Sequence, residues 1–259
     1  MDYPRARKRF GQNFLHDDYI INEIIEAISP EPGDHIVEIG PGRGALTKPL
    51  LERCNHLDII ELDRDLVPLL QQRHASHPGL KIHLADALQF DYRSLRVSDE
   101  QLRIVGNLPY NITTPLLFHL LDYSDIVEDM CFMLQKEVVE RICAQPGSKQ
   151  YGKLSIMIQH RCDAQLLFLV PPEAFDPAPK VDSAIIYLQP LKHRVGGEVD
   201  LVLLGQLVSQ AFSQRRKTVS NTLKNMVSSE TLRACGIDPE QRPETIDVTQ
   251  YVELTRTLC

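Results

Sequence analysis

The feature that most constrains this chain is a glycine-rich turn that directly follows a short apolar stretch. The stretch His35–Ile39 has the length and composition of a buried strand, and it runs into the segment Glu38–Ala45, with the sequence EIGPGRGA. Glycines at such a position let the backbone turn tightly and let a ligand approach without meeting a Cβ atom. A strand, a glycine turn and a following helix together predict a ligand-binding edge of an α/β sheet.

Apolar runs and helix-like spacings alternate from residue 20 to residue 134. The predicted strands are His35–Ile39, Leu57–Leu62, Lys81–Ala85, Leu102–Gly106 and Met130–Leu134. The predicted helices include Ile20–Ile28, Ala45–Cys54, Asp65–His74 and one that begins with Thr114 as N-cap and Pro115 at the first helical position. Strands separated by helices predict right-handed crossovers and a mostly parallel, doubly wound sheet. Two later strands, Gln165–Val170 and Ala184–Leu188, are expected to form an antiparallel edge.

The chain changes character after Pro190, because the apolar spacing there is helical throughout. The predicted helices are Asp200–Phe212, Thr218–Val227, Thr231–Cys235 and Val248–Leu258. We therefore expect two domains, an α/β domain over residues 1–190 with a basic N-terminal arm, and a small helical domain over residues 191–259.

Composition limits the partners of this protein. With 43% hydrophobic and 24% charged residues the chain is an ordinary globular sequence, and its formal net charge of −7 argues against a surface that clamps nucleic acid everywhere. Two local basic patches stand out from the acidic whole: Arg5, Arg7, Lys8 and Arg9 at the N-terminus, and Arg215, Arg216 and Lys217 in the helical domain. Such patches are typical of phosphate-binding surfaces, although isolated surface arginines often serve only solubility.

The cysteines argue against a metal site. Six cysteines are scattered along the chain without any C-x-x-C pair, so the sequence offers no closely spaced set of zinc ligands. We expect reduced thiols and no bound metal.

The basic N-terminus has no apolar stretch behind it, and no apolar run in the sequence is long enough to span a bilayer. We therefore expect a cytoplasmic protein without membrane association.

Two acidic residues follow predicted strands at the edge where the glycine turn lies. Glu61 ends the second strand, where a carboxylate can accept both ribose hydroxyl groups of an adenosine moiety. Asp86 ends the third strand, where it can accept a hydrogen bond from an adenine amine or simply cap the loop. Counted from Gly40, the turn also fits G-x-G-x-x-A, so the glycines alone do not separate a nicotinamide cofactor from S-adenosylmethionine.

The motif Asn107-Leu108-Pro109-Tyr110 at the tip of the fourth strand points to adenine chemistry. The lone pair of an adenine amine is delocalised into the ring, so two acceptors aimed at its N–H groups are needed to favour a tetrahedral nitrogen that can attack. The Asn107 amide oxygen and the Leu108 carbonyl can supply both acceptors. Pro109 fixes φ and removes a competing donor, and Tyr110 offers a ring on which an unstacked base can rest.

The chain resembles the small-subunit (16S) ribosomal RNA adenine N6,N6-dimethyltransferases, the family behind kasugamycin sensitivity. Besides the glycine turn and the Asn107–Tyr110 motif, three segments carry the resemblance: Arg9–Leu15 (RFGQNFL), Phe175–Ser183 (FDPAPKVDS) and Gln214–Thr218 (QRRKT). The resemblance covers nearly the whole chain. It implies a Rossmann-like S-adenosylmethionine methyltransferase sheet and a small C-terminal helical domain.

The same resemblance implies a reaction and a set of site residues. S-adenosylmethionine would donate two methyl groups to each of two adjacent adenosines near the 3′ end of 16S rRNA. The substrate would be an assembling small ribosomal subunit, on which the enzyme would act as a monomer. The implied donor-site residues are Asn13, Leu15, Gly40, Gly42, Glu61, Asp86 and Asn107. Phe175 would close on the target base opposite Tyr110.

Three other functions remain open at this point. The related dimethyltransferases of large-subunit rRNA, which confer macrolide resistance, share the glycine turn and the Asn107–Tyr110 type of motif, but the Gln214–Thr218 segment favours the small subunit. A non-catalytic assembly factor, or a transcription factor of the mitochondrial branch of this fold, would not require an intact Asn107. A nicotinamide oxidoreductase is the third alternative, and nothing in the sequence resembles a hydride-transfer site.

Overall fold

The structure of the protein is a computed structural model that describes residues 12–74, 77–96, 99–214 and 216–258. In chain order its strands are β1 (Phe14–Leu15), β2 (His35–Ile39), β3 (His56–Glu61), β4 (Leu80–Leu84), β5 (Leu102–Asn107), β6 (Val127–Gln135), β7 (Cys162–Val170), β8 (Phe175–Asp176) and β9 (Ser183–Pro190). Its helices are α1 (Asp18–Ile28), α2 (Thr47–Leu51), α3 (Val67–His74), α4 (Thr113–Leu121), α5 (Lys136–Ile142), α6 (Lys153–Gln159), α7 (Leu201–Ala211), α8 (Val219–Leu223), α9 (Ser229–Ala234) and α10 (Val248–Arg256).

The main sheet has seven strands in the order β4-β3-β2-β5-β6-β9-β7. Strands β2 to β6 pair in parallel, and β9 runs antiparallel to β6. The predicted doubly wound sheet with an antiparallel strand near one edge is therefore confirmed. The strand order reverses between β2 and β5, and such a switch point opens a crevice at the carboxyl ends of the strands.

The central strands are apolar because both faces of a parallel sheet are covered. All five residues of β2 are buried, and its neighbours β3 and β5 are buried over most of their length. At the carboxyl edge β2 and β5 come unusually close, since a Cβ atom at Gly106 would lie 2.4 Å from the carbonyl oxygen of Ile39. A glycine at this position allows the two strands that flank the switch point to approach each other.

Helix ends differ most from the sequence-based expectations. Helix α1 begins at Asp18, two residues before the predicted Ile20, and the Asp17 carboxylate accepts hydrogen bonds from two amides of its first turn. The prediction of Thr114 as an N-cap was wrong, because α4 starts at Thr113 and its cap residue, Ile112, makes no side-chain bond. Pro115 lies in the first turn, where an amide has no helical partner to lose. Helix α2 is shorter than the predicted Ala45–Cys54 because the glycine turn extends to residue 46.

A second, two-stranded sheet joins distant parts of the chain. Strand β1 pairs antiparallel with β8, so that Phe14 lies opposite Asp176 and Leu15 lies opposite Phe175. The amide of His16 extends this pairing by donating to the carbonyl of Ala174 at 3.0 Å. The segment that enters the fold from the N-terminus is thereby fixed to the segment that precedes β9.

The described chain divides into two compact units. The first contains residues 12–139 and 165–190 and holds most of the sheet, and the second contains residues 140–164 and 191–258 and is mainly helical. In the second unit α7 packs against α6, α8 and α10, and the buried Tyr251 donates its hydroxyl proton to the carbonyl of Pro243. The division into residues 1–190 and 191–259 stays a prediction. The units differ from it in residues 140–164, which group with the helices because α6 packs on α7.

Candidate active site

A cavity of about 330 Å3 opens at the carboxyl ends of β2, β3, β4 and β5, beside the switch point of the sheet. Its walls are formed by residues 12–15, 38–43, 45–46, 60–62, 85–87 and 107–112. Most of the predicted site residues therefore converge on one cavity, although they come from separate parts of the sequence. The residues brought together are Asn13, Leu15, Gly40, Gly42, Glu61, Asp86, Asn107, Leu108, Pro109 and Tyr110.

The glycine turn has the backbone conformation that its sequence predicts. Gly40 and Gly42 have φ angles of +64° and +59°, a region that side chains other than glycine rarely adopt. The Gly40 amide donates to the Ile60 carbonyl at 3.0 Å, which ties the turn to the end of β3. A Cβ atom at Gly42 would lie 3.1 Å from the ring of Phe14. Both glycines therefore keep backbone close to the cavity where a side chain would be strained.

Two buried carboxyl groups reach the cavity wall. Glu38 is 1% exposed and accepts a hydrogen bond from the Thr47 hydroxyl at 2.6 Å. Burial raises the pKa of Glu38 to about 7, and the nearby Glu61 acts in the same direction. Glu61 is 7% exposed and accepts from the Asp63 amide at 2.7 Å, and burial raises its pKa as well. The wall thus holds two acids whose charged forms are poorly solvated.

Asp86 fills one of the two roles that its sequence position left open, and its contact with an adenine amine stays a prediction. Its carboxylate accepts from the Leu88 amide at 3.0 Å and from the Gln89 side chain at 3.1 Å, so it caps the loop after β4. It also lines the cavity. A carboxylate held in this way is oriented by its own loop and remains an acceptor for a ligand in the cavity.

Asn107 is the last residue of β5, and its side chain has a fixed orientation. Its Nδ2 atom donates to the backbone carbonyl of Asn13 at 3.2 Å. A carbonyl oxygen only accepts, so this contact determines which end of the amide is nitrogen and which is oxygen. The Oδ1 atom of Asn107 is consequently left as a hydrogen-bond acceptor at the cavity wall.

The next three residues are held by their backbones. The Leu108 amide donates to the Met133 carbonyl at 3.2 Å, which continues the pairing of β5 with β6. The Pro109 carbonyl accepts from the Ile112 amide at 3.1 Å. The Tyr110 hydroxyl lies 2.9 Å from the Ser183 hydroxyl, and burial raises the pKa of Tyr110. The half-buried ring of Tyr110 is therefore anchored at its far end while it lines the cavity.

Phe175 does not line the cavity, and its predicted contact with the target base opposite Tyr110 stays a prediction. Its side chain is 4% exposed and packs in the apolar core, where β8 pairs with β1, and it is not part of the cavity wall. The reason is a long-range pairing: Phe175 lies opposite Leu15, and the core of the first unit encloses both side chains.

The predicted RNA-binding residues are described only in part. Arg216 and Lys217 are exposed and lie between α7 and α8 in the second unit. Arg5, Arg7, Lys8, Arg9 and Arg215 lie outside the described residues.

Several residues of the cavity wall are not among those predicted from the sequence. Leu62 follows Glu61, is 50% exposed and lines the cavity with its apolar side chain. Arg43 lies in the glycine turn, stacks its guanidinium 4.2 Å from the centre of the Phe14 ring and pairs with Asp176 at 3.3 Å. Leu62 could have been predicted to line the cavity, because it directly follows an acid that ends a strand. The contact between Arg43 and Phe14 could not have been predicted from the sequence around either residue.

Potential metal ligands cluster at the opposite edge of the sheet. Within the residues that the structure describes, ligand atoms of His35, His56 and Glu100 lie within 4.8 Å of one another. Cys54, Cys131 and Cys162 are buried free thiols. The expected absence of a metal stays a prediction.

Among the described residues, no helix combines the length and the apolarity that crossing a membrane requires.

Comparison with known proteins agrees with the geometry of the site. The family model described as ribosomal RNA adenine dimethylase matches residues 4–258. A ribosomal RNA small subunit methyltransferase A from Nitrosococcus oceani is 55% identical over 252 residues, which cover 97% of this chain and 96% of that protein. A protein of the same name from Pseudomonas aeruginosa is 52% identical over 255 residues, covering 98% and 95%.

Solved structures show the same fold. A dimethyladenosine transferase from Plasmodium falciparum superposes with a TM-score of 0.79 at 25% identity, over 93% of this chain and 95% of that one. The 23S rRNA methyltransferase ErmE superposes with a TM-score of 0.74 at 24% identity, over 95% and 99%. The predicted Rossmann-like methyltransferase fold and the predicted enzyme class, an rRNA adenine methyltransferase using a donor of the S-adenosylmethionine type, are confirmed. The chain belongs to the ribosomal RNA adenine dimethylase family.

Proposed function

We propose that this enzyme transfers methyl groups from S-adenosyl-L-methionine to the N6 atoms of two adjacent adenosines near the 3′ end of 16S rRNA. Each adenosine receives two methyl groups. The substrate is the small ribosomal subunit during its assembly in the cytoplasm, and the enzyme acts as a monomer without a metal or a membrane. The names of its relatives support the small subunit as the substrate.

The cavity fits the proposed donor. Its volume lies in the range of small-molecule sites, and the turn at Gly40 and Gly42 keeps backbone where side chains would fill the space. Glu61 ends β3 with a carboxylate suited to ribose hydroxyl groups, and the exposed Leu62 beside it offers an apolar face to an adenine ring. S-adenosylmethionine, when bound, supplies an electrophilic methyl group.

The motif after β5 activates the acceptor amine. The Oδ1 atom of Asn107 and the carbonyl of Leu108 accept hydrogen bonds from the two N–H groups of adenine, so the nitrogen becomes tetrahedral and its lone pair is directed at the methyl group. No strong base is required, since the alkylated nitrogen is acidic and loses its proton to water. The Tyr110 ring, anchored by Ser183, supports the unstacked base.

The second transfer explains why an amide serves better than a carboxylate at position 107. After the first transfer one N–H group remains, and one acceptor loses its partner. A neutral amide in that position leaves no unpaired buried charge, whereas a carboxylate would.

The observation that carries this proposal is the Asn107 amide, which is oriented by Asn13 with its oxygen left as an acceptor at the donor cavity. The test is mass spectrometry of 16S rRNA from cells that lack the protein and are complemented with the wild type or with Asn107→Ala. We expect dimethyladenosine only with the wild type, and equal binding of both proteins to small subunits. Full methylation by Asn107→Ala would contradict the mechanism, and a primer-extension stop in 23S rRNA would identify a large-subunit enzyme instead.

We also propose that Arg5, Arg7, Lys8 and Arg9, together with Arg215, Arg216 and Lys217, contact RNA phosphates. Such contacts position RNA without reading its sequence. Replacing Arg215, Arg216 and Lys217 by alanine should weaken binding to small subunits and reduce the slope of log affinity against log salt by up to about three units. An unchanged affinity with an unchanged slope would assign these residues to solubility alone.

A further inference from the structure

The segment Gln12–Leu15, here called the N-terminal strap, contacts the reacting motif from far away in sequence. The carbonyl of Asn13 accepts from Nδ2 of Asn107, 94 residues along the chain. Without this partner the amide of Asn107 can rotate by 180° and present its NH2 group to the cavity. An NH2 group facing an adenine amine places donor against donor, so that orientation cannot support the transfer.

We infer that the N-terminal strap positions the Asn107 amide for methyl transfer, and that it does so through the Asn13 carbonyl. The inference rests on the proposed function, because it assumes that Oδ1 of Asn107 receives the target amine. It assigns to the strap a role beyond lining the donor cavity.

The strap is fixed on both sides of Asn13. Before it, Nε2 of Gln12 donates to Oδ2 of Asp63 at 3.1 Å. After it, the pairing of β1 with β8 holds Phe14 and Leu15 in register. A carbonyl between two anchored neighbours has little freedom to move, so it can impose an orientation on the side chain that it contacts.

The strap also touches the glycine turn. The Phe14 ring lies beneath the guanidinium of Arg43, and a Cβ atom at Gly42 would approach that ring to 3.1 Å. Arg43 in turn pairs with Asp176 of β8 at 3.3 Å. The donor cavity and the orientation of Asn107 therefore share one structural element, and a displacement of the strap should disturb the transfer step even where the donor still binds.

The test compares Gln12→Ala, which removes one anchor of the strap, with His16→Ala, a change of an exposed side chain just beyond it. Loss of one orienting hydrogen bond should lower kcat for methyl transfer about fivefold to tenfold, while KM for the donor changes by less than about twofold. His16→Ala should behave as the wild type. A residue that only binds the donor would raise KM and leave kcat unchanged, and that result would overturn the inference.

The side-chain amide of Asn107 provides a readout that does not depend on the substrate. In 1H–15N spectra its NH2 signals are those missing from Asn107→Ala, and in the wild type they should exchange slowly with water. Gln12→Ala should shift them and accelerate exchange, and Phe14→Leu, which removes the ring that packs under Arg43, should do the same. Unchanged signals in both variants would refute the positioning role. If instead the wild type fails to methylate small-subunit RNA, the proposed function fails while the spectra still decide the role of the strap.

Discussion

At its carboxyl edge the parallel sheet buries Glu38 and Glu61 beside the cavity, and at its amino edge it buries Asp58 between two histidines. The partners of Glu38 and Glu61 are neutral, namely the Thr47 hydroxyl and the Asp63 amide. Asp58 instead accepts from His35 at 2.6 Å and from His83. Carboxyl groups on the same strands thus have opposite electrostatic surroundings.

The pKa values follow from these partners. Burial raises the pKa of Glu38 to about 7 because the Thr47 bond compensates only part of the lost hydration. Burial alone would also raise the pKa of Asp58, but the bonds from His35 and His83 outweigh it and hold that pKa below its usual value. Burial would lower the pKa of His35, and its bonds to Asp58 and Glu100 raise it instead. Burial therefore leads to opposite pKa shifts of the two acids, depending on whether the acid has a cationic partner within the chain.

The buried acids at the two edges therefore differ in role: Glu38 and Glu61 line a ligand cavity, whereas Asp58 stabilises the fold. Buried acids with neutral partners cost stability, and such groups are typical of functional sites. Asp58 has hydrogen-bond partners within the chain, His35 and His83. His56 stacks on His35 with ring centres 4.4 Å apart. We expect the protein to become more stable when a buried acid at the carboxyl edge is replaced by its amide, and less stable when Asp58 at the amino edge is replaced.

The largest effect is expected for Asp58→Asn, which keeps the shape of the side chain and removes its charge. The change breaks the buried ion pair with His35, whose pKa is raised, so the free energy of unfolding should fall by up to about 3 kcal/mol at pH 6. Urea unfolding measures this change. The affinity of the folded variant for S-adenosylhomocysteine should equal that of the wild type, because Asp58 lies at the opposite edge from the cavity. An unchanged stability would remove the distinction between the two edges.

The matched change at the carboxyl edge is Glu38→Gln, which still accepts from Thr47. A carboxyl group whose pKa is raised in the folded state makes the protein less stable as pH rises. For Glu38 this loss occurs between pH 4.5, its usual pKa, and about pH 7, its pKa in the folded protein. The variant should therefore be more stable than the wild type at pH 8, by about 1–3 kcal/mol, and equal to it near pH 4.5. Urea unfolding without donor at both pH values tests the sign. A destabilised variant at pH 8 would show that ionised Glu38 has a cationic partner after all.

Much of the carboxyl edge was predictable because parallel strands end at one side of the sheet. An apolar run followed by Glu61, Asp86 or Asn107 therefore suffices to place these side chains near the glycine turn. The strap was not predictable in the same way, since two-residue strands such as β1 and β8 have no periodicity. Their pairing joins residues about 160 positions apart and depends on the packing of the whole unit.

The amino edge and the burial of Phe175 show the same limit. His35, Asp58 and His83 come from three strands, and their contact depends on a register that no local pattern specifies. The motif that contains Phe175 gives no sign of its pairing with Leu15 or of its place in the core. Local patterns indicate which edge of the sheet a residue occupies, and long-range pairing determines what that residue contacts.

The smallest expected effect is the pH dependence that His35 contributes. A histidine whose pKa is raised in the folded state stabilises the protein fully below its usual value of 6.5, and that contribution is lost as pH rises through the folded pKa. Glu38 and Glu61 both have raised pKa values and contribute with the same sign, so the measurement uses the double variant Glu38→Gln/Glu61→Gln, in which neither acid titrates. Its free energy of unfolding should fall above pH 6.5 by less than about 1.4 kcal/mol per pH unit, the limit for one proton. The ring signals of His35, which faces Asp58, Glu100 and His56, should titrate above 6.5 in the same protein. A titration at or below 6.5 would mean that burial outweighs the two carboxylates, and the amino edge would then resemble the carboxyl edge.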